Sequence, residues 1–114
     1  MFDSVTAVAL TSALDGLAAR QRTIANNIAN VNTPNYLAKK VLFEDALAAS
    51  VADGTAEQVT ATTVNSTDPT GLNGNNVNLD TETLSNVDTV LRFQFASQAV
   101  GGQFSSLRTA MKTN

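Results

Sequence analysis

Ala25-Asn26-Asn27-Ile28-Ala29-Asn30-Val31-Asn32-Thr33-Pro34-Asn35-Tyr36 is the stretch on which the reading of this chain turns. A long apolar periodicity runs into it and stops there. Asparagine and threonine side chains compete for backbone hydrogen bonds and sit poorly inside helices. Yet four Asn, at 26, 27, 30 and 32, fall within seven residues. Pro34 pushes Thr33 out of the helical region and ends the helix. Asn35 tolerates the positive φ of the turn that follows. Asn26 and Asn30 are four apart and share a helix face, while Asn27 points elsewhere. By residue type alone the cluster is a helix end with solvated amides. An amide both donates and accepts, so the same side chains also suit bridging to a neighbouring subunit.

Upstream, Leu10, Leu14, Leu17, Ile24, Ile28 and Val31 step by 4, 3, 7, 4 and 3 residues, a heptad stripe with one polar interruption at Gln21. Such spacing predicts a helix from Met1 to about Asn32, extending roughly 40–45 Å at ~1.5 Å per residue. Gly16 inside it costs about 1 kcal/mol relative to Ala. The stripe is narrow and requires a partner helix.

A second helix is expected from about Asp80, capped by Asn78 or Asp80 and carrying Asp80 and Glu82 at its positive end. Arg108 and Lys112 stand at its negative end. Leu84, Val87 and Leu91 share one register, and Val100, Phe104, Leu107 and Met111 share another. The slip near Phe93–Ala96 calls for local unwinding or a change of contacted face. Gly101-Gly102 either weakens this helix or admits a close backbone contact.

Between them lies a Thr-, Asn- and Gly-rich middle. Phe43 to Val51 reads as a short helix, with Gly54 as a left-handed stop. Val59 to Val64 is β-branched and weakly alternating, which suits one short strand. Asp68-Pro69-Thr70-Gly71 and Asn73-Gly74-Asn75 are turn signals. This middle is expected to bury little and to be the mobile part of an isolated chain. The layout is then residues 1–33 as an N-terminal helix, 34–78 as a polar middle, and 79–114 as a C-terminal helix. The fold class expected is mainly α, with the terminal helices paired as a coiled-coil-like hairpin.

At 114 residues the chain is one domain at most. A net charge of -3 with scattered Lys and Arg argues against a nucleic-acid surface. There is no Cys and no His, which removes disulfides, thiolate metal sites and the commonest general base. Aromatics are 5% of residues and Trp is absent, so a core built by this chain alone is thin. No run approaches a membrane span, and Asp3 stands where a secretory signal has positive charge. Glu44-Asp45 and Asp80/Glu82 lack a partner base or nucleophile, and Ser105-Ser106 has no His to activate it. Asn73 to Asp80 does not match the ligand spacing of a calcium loop. No enzyme, cofactor or metal is expected.

The segment from Ala25 to Tyr36 resembles the N-terminal signature of the bacterial flagellar axial proteins, roughly Ala-Asn-Asn-(Ile/Leu)-Ala-Asn-x-x-Thr-Pro-Gly-Tyr, with Asn35 in place of the Gly. Leu72-Asn73-Gly74-Asn75-Asn76-Val77-Asn78-Leu79-Asp80-Thr81-Glu82 is similar to the segment that opens the C-terminal helix of the proximal rod proteins, with Asn78 where Asp is more frequent. The two motifs and the layout cover most of the chain and leave Ala48 to Thr70 unmatched. This resemblance implies a structural subunit of the proximal rod of the flagellar basal body, exported by the type III apparatus without a cleaved signal. It would assemble helically with copies and other rod subunits, and contact the basal-body base and export gate.

Subunit packing would then fall to Leu10, Leu14, Leu17, Ile24, Ile28, Val31, Leu84, Val87, Leu91, Val100, Phe104 and Leu107. The motif residues Asn26, Asn27, Asn30, Asn32, Thr33, Pro34 and Tyr36 would supply polar contacts, the asparagines laterally. Phe43 and Leu47 resemble the Phe-x-x-x-apolar element that early export substrates present to the gate. Their plainer reading is a local i,i+4 contact. A sibling rod subunit and a soluble helical adaptor or chaperone of the export system are the alternatives.

Overall fold

Five elements follow one another in the computed structural model: α1 (Ser4–Ala29), β1 (Lys39–Leu42), α2 (Glu44–Ala52), β2 (Thr62–Asn65) and α3 (Leu79–Lys112). The structure describes residues 4–54 and 57–112, excluding the side chains of Ser4, Gln103, Phe104, Ser106, Leu107 and Lys112. The packing expectations for Phe104 and Leu107 therefore lie outside the described side chains. The chain is mainly helical, with long helices at both ends, as the heptad spacing predicts. Its Cα trace is elongated and flat, spanning 67 × 25 × 14 Å.

α1 and α3 pack together and run antiparallel. Asn27 meets Glu82 near one end, while Leu17 shares a cluster with Ala96 further along. Stepping back along α1 thus steps forward along α3. Among the described side chains of α3 the buried ones are Glu82, Thr89 and Ala96, seven residues apart, with Phe93 half-buried beside them. Small and polar side chains fill this seam, so the two helices approach closely. Leu84, Val87 and Leu91 face the other way. The slip seen in the sequence is therefore a change of contacted face within one continuous helix, with no unwinding.

The middle buries more than its composition suggests. β1 pairs antiparallel with β2, Lys39 opposite Asn65 and Leu42 opposite Thr62. β2 starts three residues later and ends one residue later than the strand expected at Val59–Val64, and its partner at 39–42 carries two lysines that hide the pattern. Only Val41 of this ladder turns inward. Val41 and Phe43 join Leu17 and Ala96 as the buried cluster, flanked by Ala13, Leu14, Leu47 and Phe93. The short helix α2 forms where expected, and Gly54 follows it at φ +69.

Gly16 is explained by this cluster. The Phe43 ring lies flat against α1 there, and a Cβ at position 16 would come within 2.6 Å of the ring carbons Cγ and Cδ1. Gly16→Ala gains about 1 kcal/mol of helix propensity but must displace a buried ring, which costs about 1–3 kcal/mol. The variant is expected to be less stable by about 1 kcal/mol in urea unfolding. A more stable variant would show that the ring slides aside freely.

Candidate functional site

Where α1 ends, the two asparagine-rich segments interlock. Asn27 is 1% exposed, and its amide is fully used. Nδ2 donates to the Lys39 carbonyl at 2.9 Å and to Glu82 Oε1 at 3.1 Å. Oδ1 accepts from the Lys39 N–H at 2.9 Å and from the Tyr36 hydroxyl at 3.3 Å. One side chain thereby ties α1, β1 and α3 together.

The second segment answers from the other side. Asn75 Nδ2 donates to the carbonyls of Asn30 and Thr33 at 2.9 and 2.8 Å, satisfying groups that the end of α1 leaves open. Asn76 Oδ1 accepts from the Ala38 N–H at 2.6 Å, and its Nδ2 reaches the carbonyls of Ser66 and Asp68. Asn35 takes φ 62 and donates its N–H to the Asn73 carbonyl at 2.8 Å. Gly74, at φ +77, has no room for a Cβ against the Asn35 side chain. Asn78 Oδ1 accepts from the N–H groups of Asp80 and Thr81 at 3.0 and 3.2 Å, so Asn78 is the cap of α3.

The asparagines of the first motif thus divide. Asn27 is committed inside the chain and has no group left for a lateral contact, because its four hydrogen-bonding positions are filled. Asn30 bonds locally, its Nδ2 to the Asn26 carbonyl and its Oδ1 receiving the Thr33 hydroxyl. Asn26, Asn32, Thr33 and Pro34 are exposed. Tyr36 serves the lock through its hydroxyl, and Lys39 Nζ lies 5.4 Å from its ring centre.

Arg20 makes a second bridge. It grips Glu44 with two bonds of 2.5 and 2.7 Å, donates to the Val41 carbonyl at 2.6 Å and stands 4.9 Å over the Phe43 ring. The Arg20 hydrogen bond, helped by its charge, holds the Glu44 carboxyl below its ordinary range, against a smaller opposing effect of burial. This contribution is present above the ordinary carboxyl range and fades as pH falls through the folded value. Glu44 is half-exposed, so the pair adds modestly.

Glu82 behaves oppositely. Burial pushes its carboxyl up, more than the Asn27 amide and the Lys40 charge pull it down. The folded state then holds the proton more tightly than the unfolded one. Stability falls as pH rises from the ordinary carboxyl value through the raised one. Glu82→Gln keeps an acceptor for Asn27 without the charge. It is expected to raise Tm at about pH 7, with the gain fading as pH falls below the ordinary carboxyl value and Glu82 takes up its proton. An equal effect in acid would show that charge is not the cause.

The apolar residues also divide. Leu17 and Ile24 are each 4% exposed in the intrachain core, and Leu10, Leu14, Val31 and Val100 are half-buried. Leu84, Val87, Leu91 and Phe95 are exposed, Leu91 by 60% and Phe95 by 76%. At 100° per residue these four line the side of α3 opposite Thr89, hence opposite α1. Phe95 escapes the sequence reading, although it stands four residues after Leu91. Phe43 is 5% exposed and Leu47 half-buried beside it. The described residues contain no group of acidic side chains able to hold a metal, and every buried side-chain polar atom among them has a partner. No described helix is long and apolar enough to cross a membrane.

Intrachain amide locks and an outward apolar ridge are the features of a structural protein. A family model described as flagella basal body rod protein matches residues 9–36, most of α1 and the asparagine turn. The flagellar basal body rod protein FlgB of Bacillus subtilis is 31% identical, with 90% of this chain and 89% of that protein aligned. FlgB of Escherichia coli K12 is 30% identical over 89% of this chain and 88% of that protein. FlgB of Borrelia hermsii is 26% identical over 87% and 90%. The chain belongs to the flagellar basal body rod protein family, and within it resembles FlgB. It is a structural rod subunit and not an enzyme.

Proposed function

We propose that this chain is a subunit of the proximal rod, built in by lateral packing of α1 and α3 against copies of itself and sibling rod subunits. The observation that carries this reading is the face of α3 turned away from α1, where Leu84, Val87, Leu91 and Phe95 stand exposed in one row. A soluble monomer gains nothing from Leu84, Val87, Leu91 and Phe95 in water, whereas burying each in an assembly contributes about 1.5–3 kcal/mol. An open head-to-tail contact made by such a surface generates a helical tube. Coiled-coil-like pairing between subunits continues the heptad seam of the single chain. Cryo-electron microscopy of isolated basal bodies tests this. Density for the chain in the proximal rod is expected, with the outer face of α3 covered. Density elsewhere, or that face left in solvent, overturns the reading.

Export through the type III apparatus, with no signal removed, precedes assembly in this scheme. Phe43 and Leu47 then act as the gate element before the chain folds, since the folded chain lays the Phe43 ring on Gly16 and under Arg20. Phe43→Ala is expected to lower secretion at equal cellular abundance. Unchanged secretion assigns Phe43 to packing alone.

A further inference from the structure

Away from the α3 ridge, α1 and α2 leave a groove of about 370 Å³ between them. Val5, Ala9, Leu10 and Ala13 form one wall, and Leu47 and Val51 the other. We propose that this groove receives Leu91 and Phe95 of the α3 ridge from a second copy of the chain. The inference rests on the assembly reading above and adds the surface that the ridge meets.

Three observations point to a second copy as the occupant. First, the shapes correspond. Val87, Leu91 and Phe95 form a row at four-residue spacing, and Val5, Ala9 and Ala13 form another, with the two alanines leaving room one turn apart. Rows of this kind interdigitate when helices pack. Second, the ridge points away from its own α1, so no chain can fill its own groove. Ridge and groove are different surfaces of one molecule, which makes the contact heterologous and open-ended. Third, the charges correspond. The wall formed by α2 carries Asp45 and is followed by Asp53, while Glu44 is taken by Arg20. On α3, Arg92 is taken by Asp88, and beyond Phe95 the helix carries Arg108 and Lys112 and no acid. Docking brings these opposite fields together, and like fields would repel any other pairing of the same two surfaces.

A photo-reactive benzoylphenylalanine at position 95, irradiated in cells that assemble flagella, tests the contact. The expected product has twice the mass of the chain, with the cross-linked peptide falling within residues 4–13 or 44–54. An adduct with a different protein, or with another segment of a second copy, overturns the groove and leaves the assembly reading standing. So does the absence of any adduct in rods that contain the labelled chain. If the bulky probe keeps the chain out of rods, Phe95→Cys combined with Val51→Cys replaces it, since Val51 lines the groove, is 48% exposed, and the chain has no cysteine of its own. A ladder of disulfide-linked multimers in oxidised basal bodies supports the groove. Rods carrying this double variant without a ladder overturn it. Rods that never contain the unsubstituted chain sink both readings.

Discussion

Asn27→Leu is expected to lower the stability of the monomer by about 3–5 kcal/mol. Leucine keeps the branching and is larger, so no cavity opens. What is lost is four hydrogen bonds at a position 1% exposed, leaving the Lys39 N–H and carbonyl, the Tyr36 hydroxyl and one Glu82 oxygen without their partner. Each buried polar group so stranded costs about 1–3 kcal/mol, and water reaches some of them once β1 loosens. Thermal melting followed by circular dichroism should show Tm lower by roughly 15 °C. Asn27→Asp is expected to be damaging for a different reason. It sets a second carboxylate against Glu82, and the loss should shrink in acid as the pair takes up a proton. Asn26→Leu, on the exposed side of the same motif, is expected to change stability by no more than about 0.5 kcal/mol. Equal losses at 26 and 27 would mean that the lock is not the source.

Leu91→Asp combined with Phe95→Asp should do the reverse: leave the monomer folded and abolish rod assembly and swimming. Both side chains already face water, so the cost to the monomer is limited to lower helix propensity and a like-charge i,i+4 pair, about 1 kcal/mol. In an assembled contact the pair forfeits about 3 kcal/mol or more of apolar burial and must desolvate two charges, at least a hundredfold per interface. Motility in soft agar and recovery of basal bodies measure the loss, and the melting curve of the purified variant controls for folding. Leu17→Asp provides the contrast, because Leu17 sits in the intrachain core and its replacement should unfold the monomer as well. Normal motility with both aspartates on α3 would remove the ridge from the assembly surface.

Much of this was legible in the residues. The heptad stripe from Leu10 to Val31 and the Asn78 cap mark the two long helices, because periodicity and capping act locally. Gly54 and Asn35 announce their positive φ for the same reason. What stayed hidden depends on distance along the chain. The partnership of Asn27 with Glu82, of Asn75 with the end of α1, and of Arg20 with Glu44 joins positions 24 to 55 residues apart, and side-chain type alone does not pair them. The seam of α3 escaped for another reason. Glu82, Thr89 and Ala96 do repeat every seven residues, but a search for apolar repeats passes over them and selects the residues that face outward. Val41 and Phe43 reach the core from a segment whose composition speaks for a surface.

A body whose Cα trace is 67 Å long and 14 Å deep has two broad sides and a thin core between them. In the assembly proposed above it serves as a barrel stave does: a plank that encloses a bore only when laid edge to edge with others. For such a part, the tolerance of a substitution measured in dilute solution understates its effect in the finished tube. Positions that look idle on the loose plank become joints once the planks are assembled.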